Sequence, residues 1–525
     1  MVTTVYERQD CTMDNMQFDP NGQPNDVDNM GFDAPVFSGE ASEPVADMPE
    51  IQPAAEAAPQ EPQQPRQRKR RKRSKWEIFK EAYLPAVIVG LAVILIIVFI
   101  VGAVRLAKLG SGSDKPGGDS SSTQPSEDLQ SKQEAEAKRL LQEAEKLAKY
   151  YDYQGAVNVL EQFSGDLSAM PELQAKYNEY KEAFGNLVAW TDANNIPNLA
   201  FNLLIADPAR AFADSTYGAK YNQNYVTTEE FSKILEQLYA NNYMLVSIYD
   251  VATMGDSGYK ANKLYLPAGK KPIVLTQHAV NYFTYMVDSD GDKLPDQGGA
   301  GFASRLVLDS TGKVLNEYVD ASGNTVTGAY DLIPILDAFV EEHPDFSYHG
   351  AKATISVCGY DGLFGYRTNA SAKERLGADA YAQEVAGATA IAEALKNSGY
   401  VLACHSYENS GYGQLSSSDI TADLAKWTEE VTPILGEVNV LVLPFGSDIG
   451  NGNTYSGNKF NVLYNFGFRY FIGMDSSVKA WTQLTGTYVR QMRRWVTGSN
   501  MTAHASWYSD LFDAAAVLDK TRPAM

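Results

Sequence analysis

Residues 343–369 read HPDFSYHGAKATISVCGYDGLFGYRTN, an apolar run set between a proline and a series of glycines. Pro344 turns the chain, Ala351–Cys358 is a short run rich in β-branched and apolar residues, and three glycines follow at 359, 362 and 365. A strand that runs into a glycine-punctuated turn is the C-terminal edge of a β/α unit. The residues just past it, Tyr360, Asp361, Tyr366 and Arg367, are polar or aromatic, as expected where a ligand is met.

Outward from this strand the same alternation repeats. Further strands are expected at 198–205, 243–249, 271–278, 400–406, 438–445 and 468–474, each a short apolar run. Between them, TTEEFSKILEQLYANN (227–242), AYDLIPILDAFVEEHP (329–344), YAQEVAGATAIAEALKNSG (381–399) and DITADLAKWTEEVTPIL (419–435) carry apolar residues at helical spacing. About seven strand and helix units predict an α/β fold, a (β/α) barrel over residues 196–520, with its ligand site at the C-terminal ends of the strands.

The N-terminal part is organised by charge and hydropathy. Ala82–Val104 holds 23 residues without a charge, and about 20 suffice to cross a bilayer. Residues 66–80 carry nine bases and one acid, so residues 1–81 are expected inside and the rest outside a plasma membrane crossed once. The basic run 66–81 also suits anionic lipid, and Trp76 an interfacial anchor. Residues 1–65, with thirteen acids, one base and no apolar periodicity, are expected to be a disordered cytoplasmic arm, either a solvated tail or a partner-binding segment.

Residues 105–130 read as a flexible Gly/Ser linker, and 131–192 as an α-helical hairpin with an added helix, similar to a tetratricopeptide unit and acting as a spacer. The outer part carries 32 bases and 50 acids, a net of −18, which excludes nucleic acid as a partner and argues against long-range attraction to anionic polymer.

Several of these segments together resemble a known family. Thr227-Thr228-Glu229-Glu230-Phe231, the strand KKPIVLT (270–276), the run 343–369, His405-Ser406-Tyr407 and LPFGSD (443–448) are similar to a Gram-positive, membrane-anchored branch of the polysaccharide deacetylases, carbohydrate esterase family four. The resemblance covers about residues 196–520 and implies the distorted deacetylase barrel. It also implies a divalent metal, usually zinc, that polarises an acetamide carbonyl while a carboxylate takes the water's proton.

The family's strand ends in two adjacent aspartates, a base and a metal ligand, where this chain has His278 and Ala279. Its later histidine pair is here His405 and, four residues on, Asn409; its Arg-x-Pro-Tyr segment is Leu443-Pro444-Phe445-Gly446, without the arginine. The motifs are degenerate together. The resemblance therefore implies a pseudoenzyme that binds cell-envelope polysaccharide, with no zinc. The alternative is an active deacetylase of N- or O-acetylated cell-wall polysaccharide, with His278 and His405 catalytic and His278, His405 and Glu408 holding the metal.

An aromatic and polar cleft is expected from Tyr282, Asp361, Arg367, Tyr407, Pro444 and Phe445, with Phe283 and Tyr412 beside them, suited to stacking on sugar rings. Asp288, Asp290, Asp292 and Asp296 stand at positions 1, 3, 5 and 9 of a calcium loop that lacks its glycine and final acid, so either a weak calcium site or a solvated acidic turn is expected. Cys358 and Cys404, on strands expected to be neighbours, are either a disulfide or two buried thiols.

Overall fold

The computed structural model describes residues 124–288, 300–450, 454–474 and 479–525. The arm, the basic run, the span at 82–104 and Asp290, Asp292 and Asp296 of the acidic loop lie outside the described residues. Among the described residues no helix is long and apolar enough to cross a membrane.

Three helices open the described chain: α1 (Gln124–Ala148), α2 (Tyr153–Leu160) and α3 (Pro171–Gly185). The first begins inside the segment read as linker, because Pro125 is tolerated in a first helical turn and a helix-forming run follows it. Asp152 accepts from the Gly155 amide at 2.8 Å and so caps α2. Leu140, Ala144, Val157, Leu160, Phe163, Leu173 and Tyr180 form a small core of their own.

The barrel is built from seven parallel strands: β1 (Asn198–Phe201), β2 (Lys271–Gln277), β3 (Ala353–Val357), β4 (Val401–Cys404), β5 (Val440–Val442), β6 (Tyr470–Met474) and β7 (Val489–Trp495). Each pairs with the next, and β7 returns to β1 through Arg494↔Leu199 and Trp495↔Ala200, so the ring closes. Helices α4 (Thr228–Ala240), α5 (Leu332–Glu342), α6 (Ala378–Asn397), α7 (Ser417–Lys426) and α8 (Gly457–Phe466) lie between successive strands.

The expected barrel is present, with one exchange of strands. The run at 243–249 forms only Tyr243–Leu245, which pairs on the outside of β2 as an edge strand. Its place in the ring belongs to Val489–Trp495, VRQMRRW, whose three arginines and glutamine break the apolar pattern that identifies a strand.

Alternation along the strands sorts the barrel interior by height. Val274, Ala403, Val440, Val442, Tyr470, Ile472 and Val489 pack together with Ile196, Met244, Val246, Leu264 and Leu266 in one apolar cluster. Beside it, a buried polar layer joins three strands: Thr276 Oγ1 donates to Asn198 Oδ1 at 2.9 Å, and Asn198 Nδ2 donates to Gln491 Oε1 at 3.0 Å. Above that layer the mouth begins.

A three-stranded antiparallel sheet (Arg305–Leu308, Val314–Val319, Thr325–Gly328) is inserted between β2 and α5. Asp331 ties it down: its carboxylate accepts from the Leu204 amide, Gln277 Nε2 and the Tyr282 hydroxyl, and that hydroxyl accepts in turn from Asn316 of the sheet.

Candidate functional site at the barrel mouth

The C-terminal ends of β2 and β4 deliver His278 and His405 to the same place. Their rings stack almost parallel, with centroids 5.5 Å apart and planes 11° from each other. His405 Nδ1 lies 2.8 Å from the Val442 carbonyl. A carbonyl only accepts, so Nδ1 carries the hydrogen and Nε2 the lone pair. His278 is held by its backbone, whose amide donates to the Phe201 carbonyl at 2.8 Å, while its Nε2 is buried without a partner.

Strand β7 completes the cluster, and sequence reasoning missed it. Gln491, Arg493 and Trp495 are alternate residues of one strand; Gln491 faces inward to Asn198, so the other two face inward above it. Trp495 lies against His278, with ring centroids 6.0 Å apart. The Arg493 guanidinium donates to the main-chain carbonyls of Ile472 at 2.6 Å and Leu443 at 2.7 Å. Leu443 directly precedes Pro444, so a strand with no resemblance to the Arg-x-Pro-Tyr motif brings an arginine to that segment. The period-two spacing of Gln491, Arg493 and Trp495 was the available signal.

Burial and this guanidinium set the protonation of the mouth. His405 is pushed down to about 3, chiefly by burial and then by Arg493. His278 is likewise held well below the usual imidazole range by burial, Arg493 and His405. Burial also lowers Arg493, to about 9, so it stays charged at neutral pH. Two neutral imidazoles, an indole and one cation therefore face one another.

The loops that carry these groups are strained. Of the nine non-glycine residues with positive φ among those described, Ala279 (47°), Tyr282 (49°), Ser406 (57°), Asn409 (52°) and Phe445 (55°) all follow β2, β4 or β5 at the mouth. Such conformations persist only where surrounding bonds fix them, and they cluster at binding and active sites. The fixing group on the β4 loop is Asp423, which accepts from the Tyr407 amide (2.8 Å), the Glu408 amide (2.9 Å) and the Tyr412 hydroxyl (2.5 Å).

Several expected cleft residues turn out to be framework. Tyr282 is buried, its hydroxyl engaged by Asp331 and Asn316, so its ring offers no stacking face. Tyr407 is buried with its hydroxyl on Glu430 at 2.6 Å, and Phe283 and Tyr412 are buried as well. Asp361 accepts from Thr284 and from Arg367, and Arg367 also donates to the Tyr282 carbonyl, which binds the loops after β2 and β3 to each other. Pro444 is buried and Phe445 half-buried beside the Leu443 carbonyl that Arg493 engages. Large aromatic rings close a mouth of this kind by burying their area, and position past a strand end does not distinguish such framework from an open floor.

Among the described residues the donor set does not fit a divalent cation. Ala279 offers a methyl group, and Glu408 is turned outward to Lys426 and held there. The three-ligand set of His278, His405 and Glu408 is therefore not assembled. Among the described residues no three His, Cys, Asp or Glu side chains gather around a point, and the nearby Arg493 guanidinium would repel a metal ion. Asp288, the one described member of the acidic loop, is half-buried at the end of a short helix. Cys358 and Cys404 are free thiols, both buried.

No family model and no curated protein matches the chain. Solved structures do. The Streptococcus pyogenes deacetylase PplD in complex with acetate is 13% identical, with 60% of this chain and 95% of that chain covered and a TM-score of 0.31. A de-N-acetylase from Aggregatibacter actinomycetemcomitans is 8% identical, with 57% and 94% covered and a TM-score of 0.30.

Proposed function

We propose that this chain is a membrane-tethered, deacetylase-like protein that binds cell-envelope glycan at the mouth of its barrel without metal-dependent hydrolysis. The observation that carries this reading is the composition of the mouth: His278 and His405 kept neutral beside the charged Arg493, with a methyl group at 279 and an amide at 409 where the resembled family has metal ligands. The tether is the uncharged run 82–104, with the acidic arm inside and the barrel outside, where an envelope protein is a further partner in this reading. The alternative metal set of His278, His405 and Glu408 would need that carboxylate free, and Glu408 is engaged by Lys426 instead.

Two measurements on the full-length chain, purified in detergent without chelator, test this. Metal analysis is expected to find zinc well below stoichiometric, and acetylated chito-oligosaccharide to release no acetate. Stoichiometric zinc together with acetate release would overturn the reading.

A further inference from the structure

Arg493 differs from the other buried arginines. Arg367, Arg490, Arg494 and Arg522 each meet a carboxylate: Asp361, Asp448, Asp510 and Glu230, at 3.5, 2.7, 2.8 and 2.6 Å. Arg493 is 1% exposed, bonds only to carbonyl oxygens and has no acidic partner among the described residues. A buried charge without a counter-charge is among the costliest arrangements a fold can hold. Where one persists, the compensating group is to be sought in a ligand.

Three nitrogens on the residues of this cluster have no hydrogen-bond partner among the described residues. They are Arg493 Nε, Trp495 Nε1 and His278 Nε2, on residues 1%, 9% and 6% exposed. The first two are obligate N–H donors, and a neutral imidazole carries its hydrogen on either nitrogen. Among the described residues the mouth therefore presents these donors and one positive charge with no anionic acceptor, beside the neutral acceptor Asn409 Oδ1. We propose that it binds a carboxylate, whose two oxygens accept from Arg493 Nε, Trp495 Nε1 and His278 Nε2. A carboxylate is acceptor-only, planar and singly charged, and it matches donors arranged about one guanidinium.

The carboxylate comes either from a small free acid or from an acidic sugar. In the second case the inference rests on the glycan-binding reading and names the part of the glycan that is held. The outer part's net charge of −18 repels anions at long range, so selection of the carboxylate occurs by contact inside the mouth.

Isothermal titration of the full-length chain in detergent, at neutral pH and fixed ionic strength, tests this with three probes: acetate, N-acetylmuramic acid and neutral N-acetylglucosamine. The acidic sugar is expected to bind at least about tenfold more tightly than the neutral one, as one charge-assisted bond implies. Trp495→Phe keeps an aromatic ring but loses the donor with part of the indole's bulk, and should weaken acid binding about tenfold. Arg493→Met should abolish it while the unfolding temperature holds or rises. Because Trp495→Phe leaves the guanidinium and an aromatic ring in place, it decides the matter should Arg493→Met fail to fold.

Equal affinity for the two sugars with no binding of acetate overturns the carboxylate site and leaves glycan binding standing. Acetate binding with neither sugar bound leaves the carboxylate site and overturns the glycan. Unchanged acid affinity in Trp495→Phe overturns the proposed contact set.

Discussion

Replacing Asp331 by asparagine should remove a specific part of the pH dependence of stability. Asp331 is 1% exposed and its carboxyl is pushed up to about 6 from 3.8, chiefly by burial and against the pull of its hydrogen-bond donors. The folded state thus holds this proton more tightly than the unfolded state does. Between pH 3.8 and about 6 the fold binds more protons, so stability falls as pH rises. The contribution is fully present below the lower value and lost above the higher one. At about 1.4 kcal/mol per pH unit it amounts to about 3 kcal/mol.

An asparagine is neutral throughout. Its carbonyl oxygen can still accept from Leu204 and Gln277, while its amide faces the Tyr282 hydroxyl and orphans that hydrogen, a constant offset of about 1–3 kcal/mol. Urea unfolding of both proteins from pH 4 to 7, followed by tryptophan fluorescence, isolates the effect, because all other carboxylates cancel in the difference. Asp331→Asn should gain about 2–3 kcal/mol relative to the parent across that range. A flat difference would refute the argument that burial, rather than its hydrogen bonds, governs this group.

Three further outcomes are expected. Arg522→Met strands the fully buried Glu230 without its cation and should cost about 3–5 kcal/mol in chemical denaturation, with much of that recovered on adding Glu230→Gln. His405, pushed down to about 3, stays neutral from pH 5 to 8, so its ring carbon resonances should not titrate there; a midpoint near 6.5 would show the mouth open to water. Burial raises both Cys358 and Cys404 well above the usual thiol range, so site-resolved mass spectrometry should find neither alkylated by iodoacetamide until the protein is denatured.

Much of the barrel was legible because its strands obey simple patterns. Ala353–Val357 and Lys271–Gln277 are apolar runs covered on both faces, and the helices between strands carry apolar stripes. The residues after β2 and β4 were legible for the same reason, since the C-terminal end of a barrel strand is where a ligand is met. Strand β7 was not, because a closed barrel lets Arg490 and Arg494 reach acids outside the ring while Gln491 and Arg493 find acceptors within it. Those partners are distant in sequence, and periodicity records only near neighbours.

The sequence alone therefore determined the β/α repetition, the charge division along the chain and the histidines at two strand ends. Tertiary structure decided the rest: which aromatic rings are framework, where Glu408 turns, and that an arginine from the last strand stands beside His278 and His405. The physical reason is that hydrophobic period is a local property of the chain, whereas burial of a ring or a charge depends on what the closed barrel brings against it.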